Sequence, residues 1–341
     1  MTTRVAFLFP GQGSQAVGMG ADIYSISAAA RRVFEAVDAT LGFPLSAVCF
    51  QGPDDSLRAT INAQPAILTV SLAFLAAFQE ALSPQTSSWA SPLVPAFTAG
   101  HSVGECTALV AAGALTLADA ARMVRERGRL MHHEGTVCPG GMAAIIGLEA
   151  NTLQEICQEA TRQAQDGIAQ ESITHVGQGK VAVANYNAPG QIVISGEQHA
   201  LALASEMAKA RGARRIIPLA VSGAFHSPVM QPAVTGLVQS LRQTEIRDAS
   251  IPVISNITAT PLTTAAELRA ELAQQVAAPV QWIRSIEYLV SRGITTFFEI
   301  GPGQALAGMV RRIARGTTII NIGSAAEVEK AVAQVRSMGL L

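Results

Sequence analysis

The chain has 341 residues, of which 49% are hydrophobic and 14% charged, and its formal net charge at pH 7 is −1. A chain of this length and apolar content can bury a large core, and without basic tracts it does not resemble a nucleic-acid-binding protein. The four cysteines form no C-x-x-C pair, so we expect neither a disulfide framework nor a zinc site, and a reducing cytoplasmic location.

Two apolar stretches bear on membrane insertion. The run from Val5 to Phe9 has five residues and is followed at once by Pro10 and Gly11, so it is too short for a signal-peptide core. The run at 66–77 has helical spacing and is too short to span a bilayer. We therefore expect a buried helix there and no membrane partner.

Short β-rich runs alternate with helical patterns over much of the chain. VAFLF (5–9) and VPAFTAG (94–100) each lead into a helical pattern, the second into GECTALVAAGAL (104–115). Two later strands are predicted at IPVISN (251–256) and TTFFEI (295–300). Alternation of this kind produces a parallel sheet with helices on both faces, so the sequence predicts an α/β fold.

A different pattern begins near residue 137. The predicted elements are a strand at 140–148, a helix at 151–165, a hairpin of strands at 181–187 and 191–196, a helix at 199–212 and a strand at 214–221. This β-α-β-β-α-β order is the ferredoxin-like pattern. We therefore predict a small ferredoxin-like domain at 137–219, inserted into a large domain made of 1–136 and 220–341.

One glycine-rich stretch indicates a nucleophile. Gly100-His101-Ser102-Val103-Gly104 fits G-x-S-x-G and lies between a predicted strand and a predicted helix, where the motif forms a sharp elbow. The glycines let strand and helix approach closely, and the strained turn exposes the serine hydroxyl. The free N–H groups of the following helix would face whatever binds beside Ser102.

A serine hydroxyl needs a base to accept its proton. His226, in VSGAFHSPVM after a predicted strand, is surrounded by small residues that allow close approach, but its position alone leaves a structural role equally open. His101 adjoins the serine, yet adjacent side chains on an elbow diverge, so we interpret it as structural. The remaining histidines are expected at the surface or on loops: His132, His133, His175 and His199.

The stretch GQGSQA (11–16) matches the loose G-x-G-x-x-G/A pattern of dinucleotide-binding proteins and follows a predicted strand. Dinucleotide binding needs a second strand ending in an acidic residue about 20 positions later. The region at 27–42 has helical spacing instead, so we do not expect a nicotinamide cofactor.

Eight stretches together resemble one family in order and spacing: FPGQGSQ (9–15), TINAQPAI (60–67), GHSVGE (100–105), RERGRLM (125–131), NAPGQIVISG (187–196), SGAFHSP (222–228), PVQW (279–282) and EIGPGQAL (299–306). The family is that of the malonyl-CoA:acyl-carrier-protein transacylases of fatty-acid synthesis and the related polyketide synthase acyltransferases. The resemblance covers essentially the whole chain. It implies an α/β-hydrolase-like large domain, with the ferredoxin-like insert forming one wall of the cleft.

The resemblance also implies roles for individual residues. Ser102 would be the nucleophile, His226 the base, and Arg127, 25 positions after the serine, the clamp for the substrate's free carboxylate. A planar guanidinium suits that task because it can hold a carboxylate with two parallel hydrogen bonds. The other implied roles belong to Gln12 and Val103 (oxyanion-hole N–H groups), Gln275 (a carbonyl that orients the histidine), and Met131 and Gln64 (the acyl pocket).

Ala224-Phe225 before His226 resembles malonyl-selective polyketide acyltransferases, whereas small residues are typical of the bacterial fatty-acid enzyme. A bulky Phe225 would crowd a methyl group on the malonyl α-carbon. The sequence thus leaves the pathway, fatty acid or polyketide, open.

The implied reaction is ping-pong transfer of malonyl from coenzyme A to an acyl carrier protein, with no metal or redox cofactor. One alternative is a hydrolase that removes misloaded acyl groups from carrier proteins, which we expect to lack the arginine. Another is a scaffold that only docks carrier protein, which Ser102 and His226 argue against.

Overall fold

The computed structural model describes residues 4–82, 93–171 and 177–341. The strands in these residues are β1 (Arg4–Phe9), β2 (Phe97–Gly100), β3 (Gly140–Ile146), β4 (Val181–Ala188), β5 (Gln191–Glu197), β6 (Arg215–Pro218), β7 (Val253–Ile254), β8 (Pro261–Leu262), β9 (Ile294–Ile300) and β10 (Thr318–Ile322). The α-helices are α1 (Ala21–Ile26), α2 (Ala28–Leu41), α3 (Leu45–Gln51), α4 (Asp54–Arg58), α5 (Thr60–Leu82), α6 (Val103–Ala111), α7 (Leu117–Val137), α8 (Ala150–Glu171), α9 (Gln198–Ala210), α10 (Gln231–Arg242), α11 (Ala265–Gln274), α12 (Trp282–Ser291), α13 (Ala305–Ile313) and α14 (Ala325–Ser337). Two short 3-10 helices lie at Pro228–Met230 and Gln275–Ala277.

The larger sheet has six strands in the order β10-β9-β1-β2-β7-β8. Neighbouring strands from β10 to β7 pair in parallel, and β8 pairs antiparallel at the edge. Five of the six residues of β1 are buried, as expected for a strand covered by helices on both faces. The α/β class and the parallel sheet predicted from the alternating pattern are confirmed.

The smaller sheet has four antiparallel strands in the order β4-β5-β3-β6. This is the order in which a β-α-β-β-α-β unit makes a ferredoxin-like sheet, and α8 and α9 pack their apolar sides against it. The predicted ferredoxin-like unit is therefore present, with strands from Gly140 to Pro218. The proposed boundaries at 137–219 stay a prediction.

Two predicted strands are shorter than expected. Of IPVISN only Val253 and Ile254 pair, because the chain turns back at once, with Ser255 N–H donating to the Thr260 carbonyl at 2.9 Å. The strand predicted at 214–221 ends at Pro218, so His226 follows a stretch of loop rather than a strand. The residues that follow these two shortened strands therefore lie outside the sheets, and they contribute to the candidate active site described below.

Most residues of helix α5 are buried. It has 23 residues, and an 18-residue window within it has mean hydropathy 1.6, so it is long and apolar enough to cross a membrane. However, 89% of that window is buried inside the protein. Such burial is typical of a core helix, and it confirms the buried helix predicted at 66–77.

The junction of β2 and α6 requires two glycines. A Cβ on Gly100 would lie 1.9 Å from the Gly104 carbonyl carbon, and one on Gly104 would lie 2.1 Å from the Phe9 carbonyl oxygen. Both distances are far below van der Waals contact, and the obstructing atoms are backbone. The strand and the helix can therefore approach closely only with glycine at these positions.

We expect Gly104→Ala to lower the free energy of unfolding by about 3 kcal/mol, the upper end of the usual cost of overpacking, because α6 must move away from β1. The matched control is Gly308→Ala in α13, another helical glycine, where an added Cβ meets no atom within 4 Å. There alanine should raise the free energy of unfolding by roughly 0.5–1 kcal/mol, as in any open helical position. Urea denaturation measures the free energy of unfolding of both variants. Equal changes in the two variants would contradict the conclusion that α6 needs glycine at position 104 for close packing.

Candidate active site

Ser102 sits at the tip of the junction between β2 and α6 in a strained conformation, with φ 54° and ψ −115°. Its backbone N–H donates to the Asn256 side-chain oxygen at 2.8 Å, and Asn256 Nδ2 donates to the Gly100 carbonyl at 2.7 Å. The Asn256 amide thus bridges the two sides of the turn. This contact gives the elbow a tertiary support that the motif itself does not contain.

His226 approaches Ser102 from the loop after β6. Its Nε2 lies 2.6 Å from Ser102 Oγ, and its Nδ1 lies 2.9 Å from the backbone oxygen of Gln275 and 3.2 Å from that of Ala278. Carbonyl oxygens only accept, so Nδ1 carries the proton and Nε2 is free to accept one from the serine. The contact with Gln275 is made by its backbone carbonyl, the group that the resemblance implied.

Strain is concentrated at this pair. Among the described residues, three non-glycine positions have positive φ, namely Ser102, His226 and Ala259. The first two face each other across a hydrogen bond, and backbone strain of this kind is retained where the surrounding structure holds it in place, often at active sites.

The surroundings of His226 keep its imidazole neutral. Burial, with the positive charge of Arg127 as a second cause, lowers the pKa of His226 from its ordinary 6.5 to about 3. The two carbonyls that accept from Nδ1 oppose this shift but do not cancel it. At neutral pH the ring is therefore uncharged, and its Nε2 has a free lone pair that can accept the serine proton.

Arg127 projects from α7 into the same site and is only 2% exposed. Its Nη1 donates to the Gln64 side-chain oxygen, and its Nη2 donates to the Gln275 side-chain oxygen at 2.7 Å and to Ser102 Oγ at 3.2 Å. Within the described part of the chain, its Nε has no hydrogen-bond partner. All its acceptors are neutral, so this buried cation has N–H groups to offer a carboxylate.

The other arginines of α7 differ from Arg127. Arg122 and Arg129 are exposed and pair with acidic residues on their own helix, while Arg125 donates to the Ile61 carbonyl and stacks over Phe43. Helical periodicity explains the contrast, since Arg127 and Met131 are one turn apart on the buried face.

A cavity of about 250 Å³ opens beside the serine. Gln12, Met131 and Phe225 line it together with Ser102 and His226. The strands of the small sheet form one wall through residues that include Met142 and Val193.

Four predicted site residues do not line this cavity, namely Arg127, Gln64, Val103 and Gln275. Gln64 lies behind it, where its amide nitrogen contacts the Met131 sulfur at 3.2 Å and its oxygen accepts from Arg127. Val103 is the first residue of α6, so its N–H has no acceptor within the helix. Gln275 is buried behind Ser102 and Arg127.

Of the remaining histidines in the described residues, His101 also lines the cavity, but its side chain is held by other groups. His101 Nε2 lies 2.8 Å from the Asn187 side-chain oxygen, and its ring packs edge-on against Trp282. His132, His133 and His199 are exposed. His175 lies outside the described residues.

Sequence reasoning missed two buried residues that hold the site. Asn256 was interpreted as the last residue of a strand, and only the early end of β7 frees its side chain for the elbow. Glu105 closes the GHSVGE stretch and is fully buried, accepting from Asn256 N–H at 3.1 Å and from Gln275 Nε2. A carboxylate in an otherwise apolar helix was the available signal for this network.

Comparisons with known proteins agree with this geometry. The acyl transferase domain family matches residues 6–333. The malonyl CoA-acyl carrier protein transacylase of Bacillus subtilis is 43% identical over 330 residues, covering 97% of this chain and 96% of the relative. That of Salmonella typhimurium is 36% identical over 332 residues, covering 97% and 100%.

Solved structures of the same kind superpose closely. An acyl-carrier-protein S-malonyltransferase from Bartonella henselae has a TM-score of 0.88 and 38% identity, covering 99% of this chain and 100% of that one. A malonyl-transacylase in complex with its type II PKS acyl-carrier protein has a TM-score of 0.85 and 33% identity, covering 97% and 100%. The fold and the buried serine–histidine pair agree with a sequence similarity that extends over nearly the whole chain. The chain belongs to the acyl transferase family that includes the malonyl CoA-acyl carrier protein transacylases.

Proposed function

We propose that the chain transfers malonyl from coenzyme A to the phosphopantetheine thiol of an acyl carrier protein through a malonyl ester on Ser102. The observation that carries this proposal is the buried Arg127 guanidinium 3.2 Å from the Ser102 hydroxyl oxygen. An acyl group with a free carboxylate can pair with that cation while its thioester carbon faces the serine. A simple acetyl group would leave the cation buried and unpaired, which is costly.

The first half-reaction forms the ester. Ser102 Oγ attacks the thioester carbon while His226 Nε2 takes its proton, and the carbonyl oxygen becomes an oxyanion. The backbone N–H groups of Gln12 and Val103 would stabilise that charge, the second of them at the positive end of helix α6. The intermediate then collapses, the carbon–sulfur bond breaks, and the proton on His226 passes to the leaving thiolate of coenzyme A.

The second half-reaction reverses these steps with a different thiol. The phosphopantetheine thiol gives its proton to His226 and attacks the ester carbon, and Ser102 leaves with that proton. The protein groups named here supply nucleophile, base and oxyanion donors, so we expect the reaction to need no metal or redox cofactor. We place the enzyme in the cytoplasm, in fatty-acid or polyketide synthesis.

The nucleophile can be tested by trapping the ester. Incubated with radiolabelled malonyl-CoA and no acceptor, the wild type should retain label on denaturing gels, and Ser102→Ala should retain none. His226→Ala should slow labelling by about 10²- to 10⁴-fold, the usual contribution of a positioned general base. Label persisting in Ser102→Ala would disprove the assignment of the nucleophile.

The low pKa of His226 predicts an unusual pH profile. Because the ring stays neutral in the folded enzyme until about pH 3, kcat/KM for malonyl-CoA should be flat from pH 8 to pH 5. A histidine of ordinary pKa would lose roughly 30-fold in its neutral fraction by pH 5. Initial rates measure this profile, and circular dichroism at each pH verifies that the enzyme is folded. An inflection near the ordinary pKa of histidine would contradict the low pKa of His226.

The role of Arg127 separates a malonyl transferase from a hydrolase. Arg127→Ala should reduce malonyl transfer by about 30- to several thousand-fold, the effect of removing one partner of a desolvated charge pair. Acetyl transfer should stay the same or rise. The malonyl-serine ester should hydrolyse faster than in the wild type, because Arg127 no longer holds its carboxylate in place.

Arg129→Ala is the matched control, since that arginine lies on the same helix but is exposed and paired with Glu126. Arg129→Ala should change neither the rate of malonyl transfer nor that of acetyl transfer. Equal losses of malonyl and acetyl transfer in Arg127→Ala would assign Arg127 to the fold instead of the substrate carboxylate.

Phe225 lines the cavity and is 4% exposed, so we propose that it sets selectivity at the malonyl α-carbon. The wild type should load malonyl far better than methylmalonyl, and Phe225→Ser should narrow that preference by about 10- to 200-fold, the effect of one methyl group in a tight pocket. Phe225→Leu keeps an apolar side chain of similar bulk and should preserve most of the preference. Equal loading of both acyl groups by the wild type would show that this position is not selective.

A further inference from the structure

Two buried carboxyl groups meet behind the elbow. Glu105 on α6 accepts from the Asn256 backbone N–H at 3.1 Å. Glu271 on α11 accepts from the Ile257 N–H at 3.0 Å and from the Ser255 hydroxyl at 2.7 Å. Glu105 is fully buried and Glu271 is 8% exposed. The two side chains thus accept from successive residues of one loop, in a region from which water is largely excluded.

Burial and mutual repulsion make ionisation of both carboxyl groups unfavourable. Burial, and then the charge of Glu271, raise the pKa of Glu105 well above its usual range. Burial also raises the pKa of Glu271, although its donors oppose the shift. Both shifts disfavour the ionised form, so a double negative charge at this position is strongly unfavourable.

The Gln275 side chain connects this pair to Arg127. Its Nε2 donates to Glu105 and, at 2.9 Å, to the Ser102 carbonyl, while its oxygen accepts from Arg127 Nη2 at 2.7 Å. An amide has donors at one end and an acceptor at the other. Two acceptors on the elbow side therefore turn the Gln275 oxygen toward the guanidinium.

We propose that Glu105 is a positioning residue for acyl transfer, which orients the Gln275 amide and thereby holds the Arg127 guanidinium at the carboxylate end of the acyl site. The proposal rests on the proposed function, because Arg127 is the group that selects malonyl. The Gln275 amide thus separates the carboxyl pair from the Arg127 guanidinium. A carboxylate in direct contact would occupy the N–H groups that the substrate needs, and this separation leaves them available.

Glu105→Gln tests the proposal with an isosteric change. The new side chain has one acceptor oxygen, and if the Asn256 N–H keeps it, an NH2 group faces the NH2 of Gln275. Gln275 is then poorly held and its oxygen no longer fixes Arg127. The kcat/KM for malonyl-CoA should fall about 10- to 100-fold, the range for a hydrogen bond to a charged group, while acetyl transfer changes less than about 3-fold.

A double-mutant cycle separates positioning from general stability. In the Arg127→Ala background, Glu105→Gln should have little further effect on malonyl transfer, because the group it positions is gone. Glu299→Gln is the matched control: Glu299 is also fully buried, accepting from the Leu306 and Ala307 N–H groups. That variant should lower the melting temperature without changing the ratio of malonyl to acetyl transfer.

If Glu105→Gln does not fold, Glu105→Asp keeps a carboxyl group but withdraws its oxygens from Gln275. The ratio of malonyl to acetyl transfer should then fall to the same extent. An unchanged ratio of malonyl to acetyl transfer in folded Glu105→Gln would overturn the positioning role of Glu105 but not the proposed function. An effect of Glu105→Gln that is equally large in the Arg127→Ala background would do the same. A wild type that cannot transfer malonyl would instead overturn the proposed function.

Discussion

The close packing of strand β2 against helix α6 is the constraint on which the site depends. Gly100 and Gly104 allow backbone contacts that any side chain would block, and the turn between them is compressed until Ser102 adopts a positive φ. Such a turn would relax in an isolated peptide. Here the large sheet holds one side, α6 holds the other, and the Asn256 amide joins them, so the hydroxyl is held at the wall of the cavity.

Charge burial is the second constraint, and it explains why neutral groups surround the reacting atoms. His226 is oriented by carbonyl oxygens and not by a carboxylate, so nothing negative raises its pKa, and the nearby Arg127 lowers it further. Arg127 in turn contacts amide and hydroxyl oxygens, and the Glu105 carboxyl group lies one amide away. The site thus keeps a base neutral and a cation available, which suits a substrate that brings its own carboxylate.

Much of this architecture could be predicted from local pattern. Alternating β-rich and helical runs predicted the α/β sheet, and the order of elements near 140–218 predicted the ferredoxin-like unit, because both signals depend on periodicity within short windows. The G-x-S-x-G stretch predicted the elbow, since its glycines are needed for local sterics. Predicted strand ends were less accurate: β6 and β7 stop early because pairing partners, which lie elsewhere in the chain, decide where a strand ends.

The sequence by itself determined the fold class, the elbow serine and, through resemblance, the candidates Arg127 and His226. On position alone His226 was undecided, because a base is defined by what its ring faces, and Ser102 is 124 positions away. Only the tertiary structure brought Gln275, Asn256 and Glu105 behind the serine, since each contact joins elements distant in the chain. Hydrogen-bond direction and burial, which set protonation states, exist only once those elements have packed together.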